Sequence, residues 1–192
     1  PTPPTVDPAK VRKTSKRGWS VSPALHWQLR DGRVATVHYL GAGMCRLVYR
    51  FGNRFAIKYE YELTSGRPWA NETEVTLSRS FTTLPPTVQS ADARTTVQSL
   101  AFKTLAVALQ EQQTDVLTVA AEVITSLKAL GIQLGAEKWR MSDTSPSNVG
   151  WFPLQERWLP LDFGNFRQRG SWLSPKVTTT DIVRYLAVRS WN

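Results

Sequence analysis

The sequence predicts an α+β chain in two parts, a β-rich half followed by a helical half. Three observations carry that prediction. Apolar, β-prone runs separated by glycine-containing turns fill most of residues 34–60. From Thr114 to Leu130, apolar residues recur at three- and four-residue spacing, the period of a helix with one buried face. Further on, Asp143, Asn148 and Leu161-Asp162-Phe163-Gly164 follow at spacings that suit a loop and then a small β-hairpin.

The elements read in order as follows. Residues 1–18 hold four prolines, with Lys10, Arg12, Lys13, Lys16 and Arg17 towards their end, which predicts a disordered basic tail. It has no apolar core of the secretory-signal kind. Trp19 to Arg30 reads as one extra strand. Val34 to Leu40 is strand-like, Gly41-Ala42-Gly43 is a turn, and Leu47 to Phe51 is a strand again. A strand, a glycine turn and a strand make the context of a phosphate flap, since glycines let the backbone approach and present its N–H groups. A dinucleotide-binding reading is disfavoured, because a strand and not a helix follows the glycines. Arg54 to Glu60 is another β-prone run. Pro68 to about Phe81 is a helical candidate containing Glu72 and Glu74. Val97 to Leu109 suffices for two more strands, and Gln110 to Gln113 breaks the run. Thr114 or Asp115 can cap the next helix, and Gly131 is its stop signal.

Asp143-Thr144-Ser145-Pro146-Ser147-Asn148 has D-x-x-x-x-N spacing, and Asp162-Phe163-Gly164 follows. One carboxylate to orient a hydroxyl nucleophile, with an amide and a second carboxylate to hold magnesium against phosphates, is the set that phosphoryl transfer needs.

The order and spacing of these groups resemble the protein-kinase-like superfamily. Phe55-Ala56-Ile57-Lys58 matches its V-A-I-K pattern and Gly41-x-Gly43 its flap, with Val48 in the place of the valine that follows. The resemblance implies a two-lobed fold, with a five-stranded antiparallel N-lobe and a strongly reduced helical C-lobe. The lobes would comprise residues 19–113, hinge included, and 114–192. It implies ATP between the lobes, shaped by Gly41, Gly43, Val48 and Ala56, with adenine on the backbone around Glu111. Lys58 would hold the α- and β-phosphates, positioned by Glu74 or, alternatively, Glu72. Asn148 and Asp162 would bind Mg2+, with Mn2+ as a substitute, and Asp143 would be the catalytic base. Asp181 would brace the catalytic loop.

There are departures from the pattern. Arg46 stands where the third flap glycine is usual, and either adds a phosphate contact or narrows the flap. Met141-Ser142 replaces His-Arg, which suggests activity that does not wait for loop phosphorylation. Ser145 replaces a lysine, and Lys138 or Arg140 could stand in for it. No A-P-E segment follows Gly164. A catalytic set in so short a C-lobe resembles the minimal kinases among bacterial type III effectors, most of all the HopBF family. That likeness implies a serine/threonine kinase delivered into the host cytosol, where it phosphorylates and inactivates the chaperone heat-shock protein 90.

Composition bounds these expectations. A hydrophobic content of 41% with eight Trp and seven Phe is enough for a core. Cys45 is the single cysteine, so no internal disulfide can form, and a reducing compartment fits. With His26 and His38 the only histidines, Ser-His-Asp and His-metal chemistry are not expected. No apolar run is read as long enough to span a membrane. The net charge of +9 suits an acidic protein surface or ATP, and nucleic-acid binding is not expected without a recognition motif. A monomer is expected. The alternative from another class is a catalytically dead kinase-like scaffold in a large assembly, such as a ribonucleoprotein. Retention of Lys58, Asp143, Asn148 and Asp162 argues against it.

Overall fold

The computed structural model describes residues 12–14, 18–20, 24–28, 32–42, 46–60, 70–89, 94–111, 116–142 and 144–168. The chain divides into two compact units, one of residues 1–75 and 86–100, the other of residues 76–85 and 101–192.

The first unit is built on strands. β1 (Arg12–Thr14) and β2 (Gly18–Ser20) pair antiparallel, with Lys13 opposite Trp19. This hairpin departs from the disordered tail expected over residues 1–18. Composition averaged over a segment cannot register that Thr14 and Trp19 favour strands locally. The remainder of that segment lies outside the described residues.

β3 (Ala24–Gln28), β4 (Val34–Ala42), β5 (Arg46–Phe51), β6 (Phe55–Glu60), β7 (Thr87–Gln89) and β8 (Thr95–Ser99) form one antiparallel sheet. Its order is β3-β4-β5-β6-β8-β7. The five antiparallel strands β4 to β8 match the expected number, with the extra strand β3 at the edge, but β7 was not read from the sequence and takes the place of a second strand expected within Val97–Leu109. Between β5 and β6, residues 52–54 make the turn, and Gly52 adopts φ 58°, a conformation that costs glycine nothing. Stacked Phe51 and Phe55 rings, 6.4 Å apart, close it. The period of two sends Val37, Leu47, Tyr49, Ile57 and Tyr59 to one face, where they form a core cluster. Arg46, Val48, Ala56, Lys58 and Glu60 lie on the other face. Helix α1 (Ala70–Ser80) begins in this unit.

The second unit takes residues 76–85, the end of α1 included, and resumes where the chain passes from Leu100 to Ala101. The short strand β9 (Lys103–Thr104) leads into α2 (Leu105–Gln110). Of the second strand expected in Val97–Leu109, only Lys103–Thr104 is extended, paired with β11 outside the first sheet, and Leu105–Gln110 is a helix. Thr104 caps it by accepting from Val107 N at 3.2 Å, and Leu and Ala are strong helix formers.

Helix α3 (Val116–Ala136) runs through Gly131, which is buried, and does not stop there. Leu127, Leu130 and Leu134 continue its buried stripe, so packing outweighs the propensity cost of one glycine, about 1 kcal/mol. Lys138, at φ 60°, turns the chain away just after it. By length and composition α3 could cross a membrane, contrary to the sequence reading. Its stripe nevertheless packs with Leu77, Phe81, Trp158 and Phe163, as a core helix does.

β10 (Trp139–Arg140), a single 3-10 turn (Pro146–Asn148), β11 (Val149–Phe152), β12 (Arg157–Pro160) and β13 (Arg167–Gln168) complete the unit. β11 pairs with β12 and β9, and β10 pairs with β13. Gly150, in the middle of β11, has no room for a side chain. A Cβ there would lie 2.6 Å from Ala101 Cβ and 2.7 Å from Leu161 Cδ2.

Candidate active site

In the first unit the geometry centres on Glu74, which is fully buried on α1. Lys58 Nζ donates to both of its carboxylate oxygens, at 2.8 and 3.0 Å. Arg46 Nη2 donates to Oε1 at 3.0 Å, and Arg46 Nη1 lies 3.0 Å from Oε2. Burial pushes the Glu74 carboxyl up, but the Arg46 and Lys58 cations outweigh it and hold the group below the usual carboxylate range. Glu72 is exposed on the same helix, so Glu74 is the residue that meets Lys58.

The helix is placed by the strand that carries Lys58. Glu60, at the end of β6, accepts from Ala70 N at 3.2 Å and Asn71 N at 3.4 Å, capping α1 with a negative charge. Asn71 Nδ2 donates to Arg94 O at 2.6 Å, and Thr96 Oγ1 bonds Asn71 Oδ1 at 3.3 Å, tying the same turn to β8. Strand pairing sets Val48 opposite both Lys58 and Gly41, and Ala56 lies two residues before Lys58 on the same face. Residue Leu40 is the extra one in a bulge between Tyr39 and Gly41. Gly43 lies outside the described residues.

In the second unit, Asn148 ends the 3-10 turn, its N–H bonded to Ser145 O at 2.8 Å. Its carbonyl accepts from Leu161 N at 2.8 Å, which fixes the main chain on either side of the β11–β12 hairpin and sets Asp162 one residue beyond the contact. Phe163 anchors this stretch in the core, with its ring 6.1 Å from that of Phe166. Ser142 Oγ donates to Asn165 O at 2.8 Å, so the residue in place of the usual arginine ties the loop before Asn148 to the segment after Gly164. Asp143 and Asp181 lie outside the described residues, as do Gln112 and Gln113. Lys138 is exposed at the end of α3, and Arg140 lies in β10 opposite Arg167.

Two placements differ from the sequence reading. Glu111 is the C-cap of α2, and its carboxylate lies 3.1 Å from Lys103 Nζ. The chain passes between units before α2, not at Gln110–Gln113, because Leu105–Gln110 is a helix and no longer part of the sheet. Arg46 does not project as a surface phosphate contact. It is buried, and its fork faces Glu74.

The roles of Arg46 and Glu60 were missed from sequence. The β5–β6 hairpin register held the signal. Setting Val48 opposite Lys58 also sets Arg46 opposite Glu60, on the same face.

What the arrangement can do chemically follows from the groups. A buried lysine held by a carboxylate presents a fixed cation, suited to an anionic ligand. An amide and a carboxylate oxygen suit a hard cation such as Mg2+, which needs few protein ligands when phosphates supply others. Among the described residues, no cluster of three or more His, Cys, Asp or Glu could hold a metal by itself.

No family model and no curated protein matches this sequence. Among solved structures, the bifunctional kinase-methyltransferase WbdD is similar, with a TM-score of 0.50 and 20% identity over 88% of this chain. A WbdD complex with the kinase inhibitor LY294002 gives a TM-score of 0.49 and 16% identity, covering 82% of this chain and 38% of that one. The chain spans 41% of the length of the first of these structures. At that identity the likeness speaks to the fold: this is a mixed α+β chain with a kinase-like fold.

Proposed function

We propose that this chain is an ATP-dependent protein kinase acting on serine or threonine hydroxyls. The observation that supports it most is the buried Lys58–Glu74 ion pair at 2.8 Å. Such a pair aims a lysine at the α- and β-phosphates of ATP. Gly41, Val48 and Ala56 share the face that carries Lys58 and would line the nucleotide. Asn148 and Asp162 would hold Mg2+, which supplies charge neutralisation on the phosphates when bound. Asp143 would orient the substrate hydroxyl and take its proton as the oxygen bonds to the γ-phosphorus and the bond to the β-phosphate oxygen breaks.

The finer reading rests on the HopBF resemblance. It makes the chain a type III effector acting in the host cytosol, with heat-shock protein 90 as the phosphoacceptor.

The test is transfer of radiolabelled phosphate from Mg-ATP into eukaryotic cytosolic lysate, with Asp143→Ala and Lys58→Ala as controls. A labelled band at the size of heat-shock protein 90, lost in both variants, is the expected result. Labelling of other bands alone would keep the kinase and discard that target. Normal transfer by either variant would overturn the site assignment. Absence of both transfer and any ATP-induced thermal shift would return the scaffold reading.

A further inference from the structure

Arg46 holds the place of a flap glycine, yet its side chain is turned inward onto the Lys58–Glu74 pair. Three facts define its geometry. It is the first residue of β5 and shares a sheet face with Lys58. It is 2% exposed. Its two terminal nitrogens approach different oxygens of Glu74, each at 3.0 Å. Nη2 is hydrogen-bonded to Oε1, while Nη1 holds Oε2 by charge without hydrogen-bond alignment; the two contacts together restrain the plane of the carboxylate, which a single ammonium cannot do. Lys58 Nζ sits against the same two oxygens, so its position follows from the plane that Arg46 sets.

We propose that Arg46 is a positioning residue that fixes the Glu74 carboxylate and thereby aims Lys58 at the nucleotide phosphates. It acts through Lys58 and not on the ligand. The inference rests on the nucleotide-binding reading above.

Equilibrium binding of adenosine and of Mg-ADP separates the two. The proteins are wild type, Arg46→Met, Lys58→Met and the double variant. Arg46→Met should weaken Mg-ADP about tenfold, the worth of a charge-assisted hydrogen bond, and leave adenosine unchanged. In the Lys58→Met background the same change should have no further effect on Mg-ADP, since the residue through which Arg46 acts is gone. Arg46→Lys, which keeps the charge without the fork, should fold as wild type and still bind Mg-ADP more weakly. It serves as the test if Arg46→Met does not fold.

Additive losses in the double variant would mean direct contact with phosphate, and would overturn the proposal. Equal losses for adenosine and Mg-ADP would mean a merely structural role and would also overturn it, as would unchanged Mg-ADP binding by Arg46→Met and Arg46→Lys. Wild type that binds neither ligand would refute the nucleotide reading itself, and this inference with it.

Discussion

Replacing Glu74 by Gln removes one charge from the interior and keeps the shape of the side chain. Arg46 and Lys58, 2% and 4% exposed, would then face each other across a neutral amide. Breaking a buried ion pair from one side costs about 3–5 kcal/mol, because the remaining charge stays desolvated. Arg46 cannot shed its proton and Lys58 can, so relief comes by neutralising Lys58 and places the loss near the lower end, about 3 kcal/mol. That is a large share of a total stability of about 5–15 kcal/mol. Urea unfolding at pH 7, with amide exchange followed in β5, β6 and the first turns of α1, would measure it. The pH dependence provides an internal control. The folded pKa of Glu74 lies below its ordinary value, so its stabilisation is fully present above the unfolded pKa of about 4.3 and is lost as pH falls through the folded one. Glu74→Gln should therefore lose stability at neutral pH and converge on wild type in acid. A loss under about 1 kcal/mol at pH 7 would refute the reasoning, since two cations so deeply buried could not lose their carboxylate so cheaply.

Three further outcomes test separate parts of the fold. Gly150→Ala should destabilise by about 1–3 kcal/mol in thermal unfolding, because its Cβ would meet Ala101 and Leu161 at overlapping distances. A change within about 0.5 kcal/mol would show that β11 can shift. Thr104→Ala should cost about 1 kcal/mol through loss of the α2 cap, measurable as faster amide exchange at Val107. Tyr49→Phe should be neutral or stabilising, since its buried hydroxyl has no hydrogen-bond partner among the described residues and burial pushes its pKa up to about 12. A loss above about 1 kcal/mol in that variant would reveal a bond to the hydroxyl.

The strands around the glycine turn were legible because their patterns are local. Residues 46–51 and 55–60 alternate about a short turn, and α1 follows with its acids in view. What failed depended on specific contacts. Leu105–Gln110 is apolar enough for strand or helix, and periodicity cannot separate the two over six residues. The choice came from Thr104 turning back on Val107. Gly131 carried a stop signal that burial of the α3 stripe overrode. The tail composition concealed a three-residue pairing of β1 with β2. Each deciding term was a particular contact, local between Thr104 and Val107 and long-range in the α3 stripe, that neither composition nor periodicity displays.

The site divides along the same line. Motif spacing singled out Lys58 and left two acids open on α1; two positions apart, they are rotated by about 200° onto nearly opposite faces, and the motif does not say which face turns to Lys58. Only the packed helix separates Glu74 from Glu72. Arg46 shows the deeper limit. Read as a motif position it is a missing glycine, a defect in a flap. Read as a β5 residue paired with Glu60 it belongs to the Lys58 face, and a guanidinium on that face beside a buried carboxylate has strong electrostatic reason to bond it. A departure from a motif is therefore better interpreted through the register of the strand that carries it than through the residue it replaces.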